Sequence, residues 1–289
     1  MNQDNINVCL IQLNVIPYNF EENKKKIEKY VDKVMNLHQK PDIIVLPEMW
    51  NIGFTINKVN EYCDRDGKQT KLFLNYLAKK YHIIIIGGSI ANFDTKNNIY
   101  QNLNMNFDSN GQLLSSYAKI HLFSPSKENT VFTRGHQFKV ISTNINKTFI
   151  NNNEIEKNNN SKLTLETNSN LIFHNEEIRF EGGLDILFVS AAWPYPRLNH
   201  WRNLLIARAI ENQCYVVAVN NCGEMDGLTF CGHSLVIDPW GEVLIEGREL
   251  EGKDFDEILI TSLSFKVLKD IRQRICVFND RFPEIYRCN

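Results

Sequence analysis

The chain has 289 residues, 32 basic against 34 acidic, with a formal charge of −2, 43% hydrophobic residues and 23% charged ones. This is globular composition, which excludes a disordered, collagen-like or extended coiled-coil chain. There is no cationic surplus and no apolar run approaching the ~20 residues that cross a bilayer, so neither nucleic acid nor membrane is expected as a partner. The N-terminus lacks the pattern of a secretion signal and reads as cytoplasmic.

Strand-like apolar runs alternate with longer helical patterns, which predicts an α/β protein. Residues 8–13 read as a first buried strand. Asn19 with Glu22 behind it resembles a capping box, and Ile27, Tyr30, Val31, Val34 and Met35 then recur on one face of an amphipathic helix. Residues 42–46 form a short β-branched strand that stops at Pro47, which has no N–H to continue a ladder. Glu48 is therefore expected at the C-terminal end of a buried strand.

A helix is predicted over 71–81 and a strand over 83–90. Residues 100–107 and 112–117 read as a hairpin around Asp108-Ser109-Asn110-Gly111, with Asn-Gly turn chemistry. Further strands are expected at 186–190, 215–220, 234–238, 243–245 and 258–261, with a helix over 201–212. Between 144 and 170, 10 of 27 residues are asparagine. Such a tract has little apolar surface to offset its ordering entropy and reads as a disordered surface insertion within one domain spanning 1–289. Loop closure costs rise only logarithmically with length, so the insertion is compatible with a folded host.

Seven cysteines (Cys9, Cys63, Cys214, Cys222, Cys231, Cys276 and Cys288) are an odd number without paired short spacings. They read as free thiols in a reducing compartment. Cys9 and Cys214 read as small apolar fillers of buried strands. In such a chain the chemical question is whether one cysteine is a nucleophile.

Three segments stand out together: Leu46-Pro47-Glu48-Met49-Trp50, then Tyr117-Ala118-Lys119-Ile120-His121-Leu122-Phe123, and the stretch from Ala191 to Gly223. Alone, Glu48 reads as a surface carboxylate at a strand edge and Lys119 as a solvated lysine. Jointly, the segments resemble the nitrilase, or carbon–nitrogen hydrolase, superfamily over nearly the whole chain apart from the asparagine-rich tract. The resemblance implies a four-layer αββα sandwich, a small-molecule amide substrate, a homodimer and no cofactor or metal. It implies that Glu48 is the general base, that Lys119 stabilises the tetrahedral intermediate, and that Glu128 is a second, structural glutamate. The segment Trp193-Pro194-Tyr195-Pro196-Arg197-Leu198-Asn199-His200-Trp201 and its continuation through Gln213, with Gly232-His233-Ser234 and Asp238-Pro239-Trp240-Gly241, resembles the ω-amidases, which include 2-oxoglutaramate amidases.

Amide hydrolysis by a thiol needs a thiolate, a base that moves its proton to the leaving ammonia, and a donor aimed at the oxyanion. The family places its nucleophile in a Cys-Tyr-Asp-x-Arg-Phe-Pro-Glu segment just before a strand that Asp185-Ile186-Leu187-Phe188-Val189 matches. Here the upstream sequence is His174-Asn175-Glu176-Glu177-Ile178-Arg179-Phe180-Glu181-Gly182-Gly183, and no cysteine occurs between Cys63 and Cys214. Asn175 stands at the expected nucleophile position. Only four residues separate Phe180 from Asp185, so a short helical stretch of the family pattern is missing, through loss or a misread gene. An asparagine carboxamide is not a competent nucleophile.

The chain as written is therefore expected to be inactive: an ω-amidase-like protein without its nucleophile. The alternative is a non-catalytic binding or assembly protein on the same fold. Arg179 either pairs with a substrate carboxylate or forms a structural ion pair with Glu176 or Glu181, and Trp193 either lines the pocket or packs the core. Cys222 and Cys231 are the remaining candidates for a substitute nucleophile.

Overall fold

The computed structural model describes residues 5–137, 140–144, 162–167, 184–248, 256–280, 282 and 285. In chain order the elements are β1 (Asn5–Gln12), α1 (Phe20–Met35), β2 (Ile43–Val45), α2 (Val59–Tyr62), β3 (Asp64–Arg65), α3 (Lys68–Tyr81), β4 (Ile84–Asp94), β5 (Ile99–Phe107) and β6 (Leu113–Ala118). They continue with β7 (Val140–Asn144), β8 (Lys162–Thr167), β9 (Ile186–Ala191), α4 (Leu198–Asn212), β10 (Tyr215–Asn220), β11 (Cys222–Met225) and β12 (Leu228–Cys231). The last are β13 (Leu235–Ile237), β14 (Val243–Glu246), β15 (Glu257–Ser264) and α5 (Phe265–Arg274).

Two sheets carry the fold. One has the order β15-β1-β2-β4-β5-β6, with β3 against β4; the other has the order β14-β13-β10-β9-β8-β7. Their inner faces meet in one core, where Val8, Leu10, Ile43, Val45 and Ile84 face Ile186, Phe188, Val217 and Val236. The alternate residues Cys9, Ile11, Ile44 and Ile85 turn outward onto Ile27, Val31, Leu74 and Leu77 of α1 and α3. On the far side, Leu187, Val189, Val216 and Ala218 pack on Trp201, Leu205 and Ala209 of α4. This is the expected αββα sandwich. The central strands read as unbroken apolar runs because both of their faces are buried.

The helix starts match their sequence signals in part. Asn19 Oδ1 caps α1 by accepting from the Glu22 N–H at 3.1 Å. The Glu22 carboxylate pairs with Lys25. α4 begins at Leu198, before the expected 201, because the short turn Tyr195–Arg197 runs into it. In the β5–β6 turn, Asp108 Oδ1 accepts from the N–H groups of Asn110 and Gln112, and Gly111 takes φ +77°.

One stretch of the asparagine-rich tract, expected as an insertion without regular structure, is a strand. Lys162–Thr167 is β8 and pairs in parallel with β9, as the alternation Lys162-Leu163-Thr164-Leu165-Glu166 suits. The rest of 145–170 lies outside the described residues, as do Asn175 and Arg179. The strand pattern passed over the β11–β12 hairpin, although Asp226-Gly227 is a strong hairpin signal. Both turn residues take positive φ, 50° and 77°, the geometry of a type I′ turn. No helix among the described residues is long and apolar enough to cross a membrane.

Candidate active site

Glu48, Lys119 and Glu128 come together from three separate segments. Glu48 follows β2, where the chain turns sharply through Met49 at φ +54°. A non-glycine residue there is strained and needs outside support. β4 supplies it: Met49 N–H donates to Ser89 Oγ at 3.1 Å, Trp50 N–H to the Ser89 carbonyl at 3.1 Å, and Trp50 Nε1 to the Gly87 carbonyl at 2.8 Å. The strand register shifts between Ile86 and Ser89, at Gly87-Gly88. Gly88 lies at φ +62°, and a Cβ there would sit 2.1 Å from the Pro47 carbonyl oxygen. A glycine bulge thus lets β4 approach the turn that presents Glu48.

Lys119 follows β6, and its N–H donates to the Asn102 carbonyl of β5 at 2.9 Å. Glu128 opens a short 3-10 turn. Lys119 Nζ donates to Glu48 Oε1 at 2.9 Å and to Glu128 Oε2 at 3.0 Å. Glu48 and Lys119 are 3% and 4% exposed and Glu128 is fully buried, which overturns the reading of Glu48 and Lys119 as surface charges. Charges removed from water persist only when paired and hydrogen-bonded. Here Glu48 Oε2 accepts from the Ala192 N–H at 2.9 Å, and Glu128 Oε2 accepts from the Phe123 N–H at 2.8 Å as well as from Lys119.

Asn102 is a site residue that the motifs did not reveal. Its Nδ2 donates to Glu48 Oε1 at 2.8 Å and to Glu128 Oε1 at 3.0 Å, tying the two carboxylates together. The available signal was the alternation Asn102, Asn104, Asn106, which puts three buried carboxamides on one face of β5.

One lysine is shared between two buried carboxyl groups. Burial raises the Glu48 carboxyl above the usual carboxylate range; Lys119 opposes that and Glu128 adds to it. For Lys119, burial lowers the ammonium, but the two carboxylates outweigh it and hold it above its ordinary value. A carboxylate with raised proton affinity beside a fixed cation suits proton transfer and oxyanion stabilisation at neutral pH.

The cluster opens into a cavity of about 730 Å³, walled by Phe54, Phe123, Trp193, Tyr195 and Phe230 and rimmed by the β11–β12 turn. Trp193 fulfils both of its readings, since it lines this cavity and packs on Trp201 with ring centroids 5.7 Å apart. The hairpin is pinned across the mouth by Asp226, whose carboxylate accepts from Thr55 Oγ1 and from the Tyr18 hydroxyl. Among the described residues no cysteine lines the cavity. Cys9 and Cys214 are buried within cores on the outer faces of the two sheets, as read from sequence. Cys222 and Cys231 face each other across the hairpin, and burial raises the Cys222 thiol well above its ordinary value.

The family model for carbon-nitrogen hydrolase matches residues 7–273. The chain is 35% identical over 276 residues to 2-oxoglutaramate amidase of Bacillus subtilis, covering 92% of this chain and 93% of that protein. It is 24% identical over 288 residues to an omega-amidase of Saccharomyces cerevisiae, covering 97% and 94%. Its fold is shared with a CN-hydrolase superfamily protein of Xanthomonas campestris, at TM-score 0.80 and 23% identity over 98% of each chain. With the match running from the first strand into the last described helix, this chain belongs to the carbon–nitrogen hydrolase family.

Proposed function

We propose that the cavity takes the terminal amide of a small dicarboxylate monoamide, the substrate class named for its 2-oxoglutaramate amidase relatives, and that the chain as written binds such an amide without hydrolysing it. The observation that carries the amide reading is the buried Lys119 held between Glu48 and Glu128 at the cavity floor. In amide hydrolysis by this family's chemistry, a thiolate adds to the amide carbon and the carbonyl oxygen becomes an oxyanion, which a fixed ammonium such as Lys119 stabilises. The carboxyl at Glu48 passes the thiol proton to the nitrogen, so that ammonia leaves an acyl-thioester, and water then attacks with Glu48 as base. Every part of that scheme except the thiol has a residue here.

The absent thiol supports the second half of the proposal. Asn175 occupies the matching position in sequence, and neither Cys222 nor Cys231 lines the cavity. The chain is then a binder on a hydrolase framework. An ammonia-release assay with 2-oxoglutaramate decides: the expected result is no turnover above background. Robust turnover that Glu48→Gln abolishes, and that survives replacement of all seven cysteines, overturns the mechanism. Sequencing the transcript across residues 165–190 tests the origin of the gap; an additional Cys-Tyr-Asp-x-Arg-Phe-Pro segment there makes the complete protein an active amidase.

A further inference from the structure

One cation at the cavity wall has no role in the cluster just described. Arg197 ends the short turn between Trp193 and α4 and lines the cavity. Its guanidinium carbon lies 4.5 Å from the Trp193 ring centroid and 4.6 Å from that of Phe123. Among the described residues, no aspartate or glutamate is in ion-pair contact with it. Its neighbours along α4 and beyond are paired: Arg202 with Glu246 at 3.1 Å, Arg208 with Glu211, and Arg272 with Asp185 at 3.1 Å. Among the described residues, the two carboxylates that share the cavity with Arg197 are both engaged, Glu48 by Lys119, Asn102 and Ala192, and Asp226 by Thr55.

The rings that flank Arg197 belong to a residue bonded to the Glu–Lys–Glu cluster and to the neighbour of another. Phe123 gives its N–H to Glu128, and Trp193 follows Ala192, whose N–H is given to Glu48. Trp193 Nε1 donates to the Arg197 carbonyl at 2.8 Å, which closes the turn and fixes where the side chain begins. Arg197 is thereby set at a defined place relative to the amide chemistry. Partial burial disfavours its charge, yet a guanidinium stays protonated at neutral pH, so the cavity wall carries a partly buried cation with no ion-pair partner among the described residues.

We propose that Arg197 is the anchor for the distal carboxylate of the bound monoamide, and thereby the residue that selects ω-amides of dicarboxylic acids over neutral amides. This rests on the amide-site reading above. A guanidinium held over ring faces spends no N–H group on a hydrogen-bond acceptor there, which leaves its fork available for a bidentate contact with a carboxylate. A carboxylate anchored there supplies a counter-charge, while the amide at the other end of a short chain reaches Lys119 and Glu48.

The test is a matched pair of ligands of equal chain length, glutaramate, which carries the distal carboxylate, and valeramide, which does not. Affinity is measured by calorimetry on the full chain, or taken from KM if ammonia is released. The wild type is expected to favour glutaramate by roughly tenfold to a hundredfold, the worth of a charge-assisted hydrogen-bond pair. Arg197→Met is expected to bring that ratio close to one, and Arg197→Lys to restore part of it. Melting curves of both variants accompany the titrations, because a purely structural stacking role changes the melting temperature and leaves the ratio intact. Lys127, exposed and also at the cavity wall, serves as the control for general charge attraction. A glutaramate preference that persists in Arg197→Met, or that disappears in Lys127→Met instead, overturns the assignment of Arg197 while leaving the amide site standing. Equal wild-type affinity for the two ligands overturns it as well. Binding of neither ligand overturns the amide site itself, and the anchor with it.

Discussion

The Ala192 N–H donates to Glu48 Oε2 at 2.9 Å although 144 residues separate the two in the chain. The bond joins the end of β9 in one sheet to the end of β2 in the other. Two more reinforce it: Ser190 Oγ donates to the Leu46 carbonyl at 2.8 Å, and Asn221 Nδ2 donates to the Glu48 carbonyl at 2.9 Å. Glu48 is therefore held by both halves of the sandwich, and its geometry depends on how the sheets pack rather than on its own strand.

Lys119→Met is expected to be among the most destabilising single changes in the protein. It leaves two buried carboxylates without their shared cation, a situation that costs about 3–5 kcal/mol. In a domain of this size the melting temperature should fall on the order of 10 °C. A double variant, Lys119→Met with Glu48→Gln, should recover part of the loss; equal or greater destabilisation of the double variant counts against the charge argument.

The pH dependence of stability has a definite sign. Glu48 has its carboxyl raised on folding, chiefly by burial. A raised carboxyl contributes stability that is fully present below the ordinary glutamate range and is lost as pH rises through its folded value. Glu48→Gln removes that titration. The melting temperature of Glu48→Gln minus that of the wild type should therefore increase as pH rises from about 4 towards neutrality. A difference that stays flat or falls over that window shows that Glu48 is not raised.

Gly88→Ala tests the bulge beneath the Glu48 turn. The added methyl would meet the Pro47 carbonyl oxygen at 2.1 Å and would have to occupy φ +62°. Backbone, not a flexible side chain, is in the way, so the expected cost exceeds about 2 kcal/mol and should appear as insoluble expression or a clearly lowered urea midpoint. Gly227→Ala, at φ +77° but with nothing within 4 Å of the new methyl, isolates the purely conformational part.

Asp226→Ala releases the β11–β12 turn from Thr55 and Tyr18. Asp226 is exposed while Thr55 and Tyr18 remain bonded to each other, so the melting temperature should change little. Cleavage by a broad-specificity protease across residues 225–228 should become faster. Unchanged cleavage would mean that the hairpin is held by Met225 and Phe230 in the core, without help from its tip.

Much of the framework was legible in the sequence because it depends on local pattern. Unbroken apolar runs mark strands buried on both faces, and β10 coincides with the predicted 215–220. The period of α1 and its Asn19 cap likewise follow from neighbours in the chain. Elements whose signals are weak or compositional were misjudged. β8 was hidden in an asparagine-rich background, and β11 and β12 are short strands whose Asp-Gly turn is their main sequence mark.

The same division applies to the site. Glu48 and Lys119 were marked by their motifs, and the absence of a cysteine between Cys63 and Cys214 is a property of the sequence alone. Their burial, the bridging of Glu48 and Glu128 by Lys119, the contacts of Asn102 and the placing of the Arg197 guanidinium between Trp193 and Phe123 were decided by tertiary structure. The physical reason is that desolvation and pairing are relations between distant segments. A carboxylate at a strand end becomes a buried, raised acid only when a second sheet covers it, and an arginine comes to lie between two aromatic rings at a cavity wall only when segments distant in the chain are packed together.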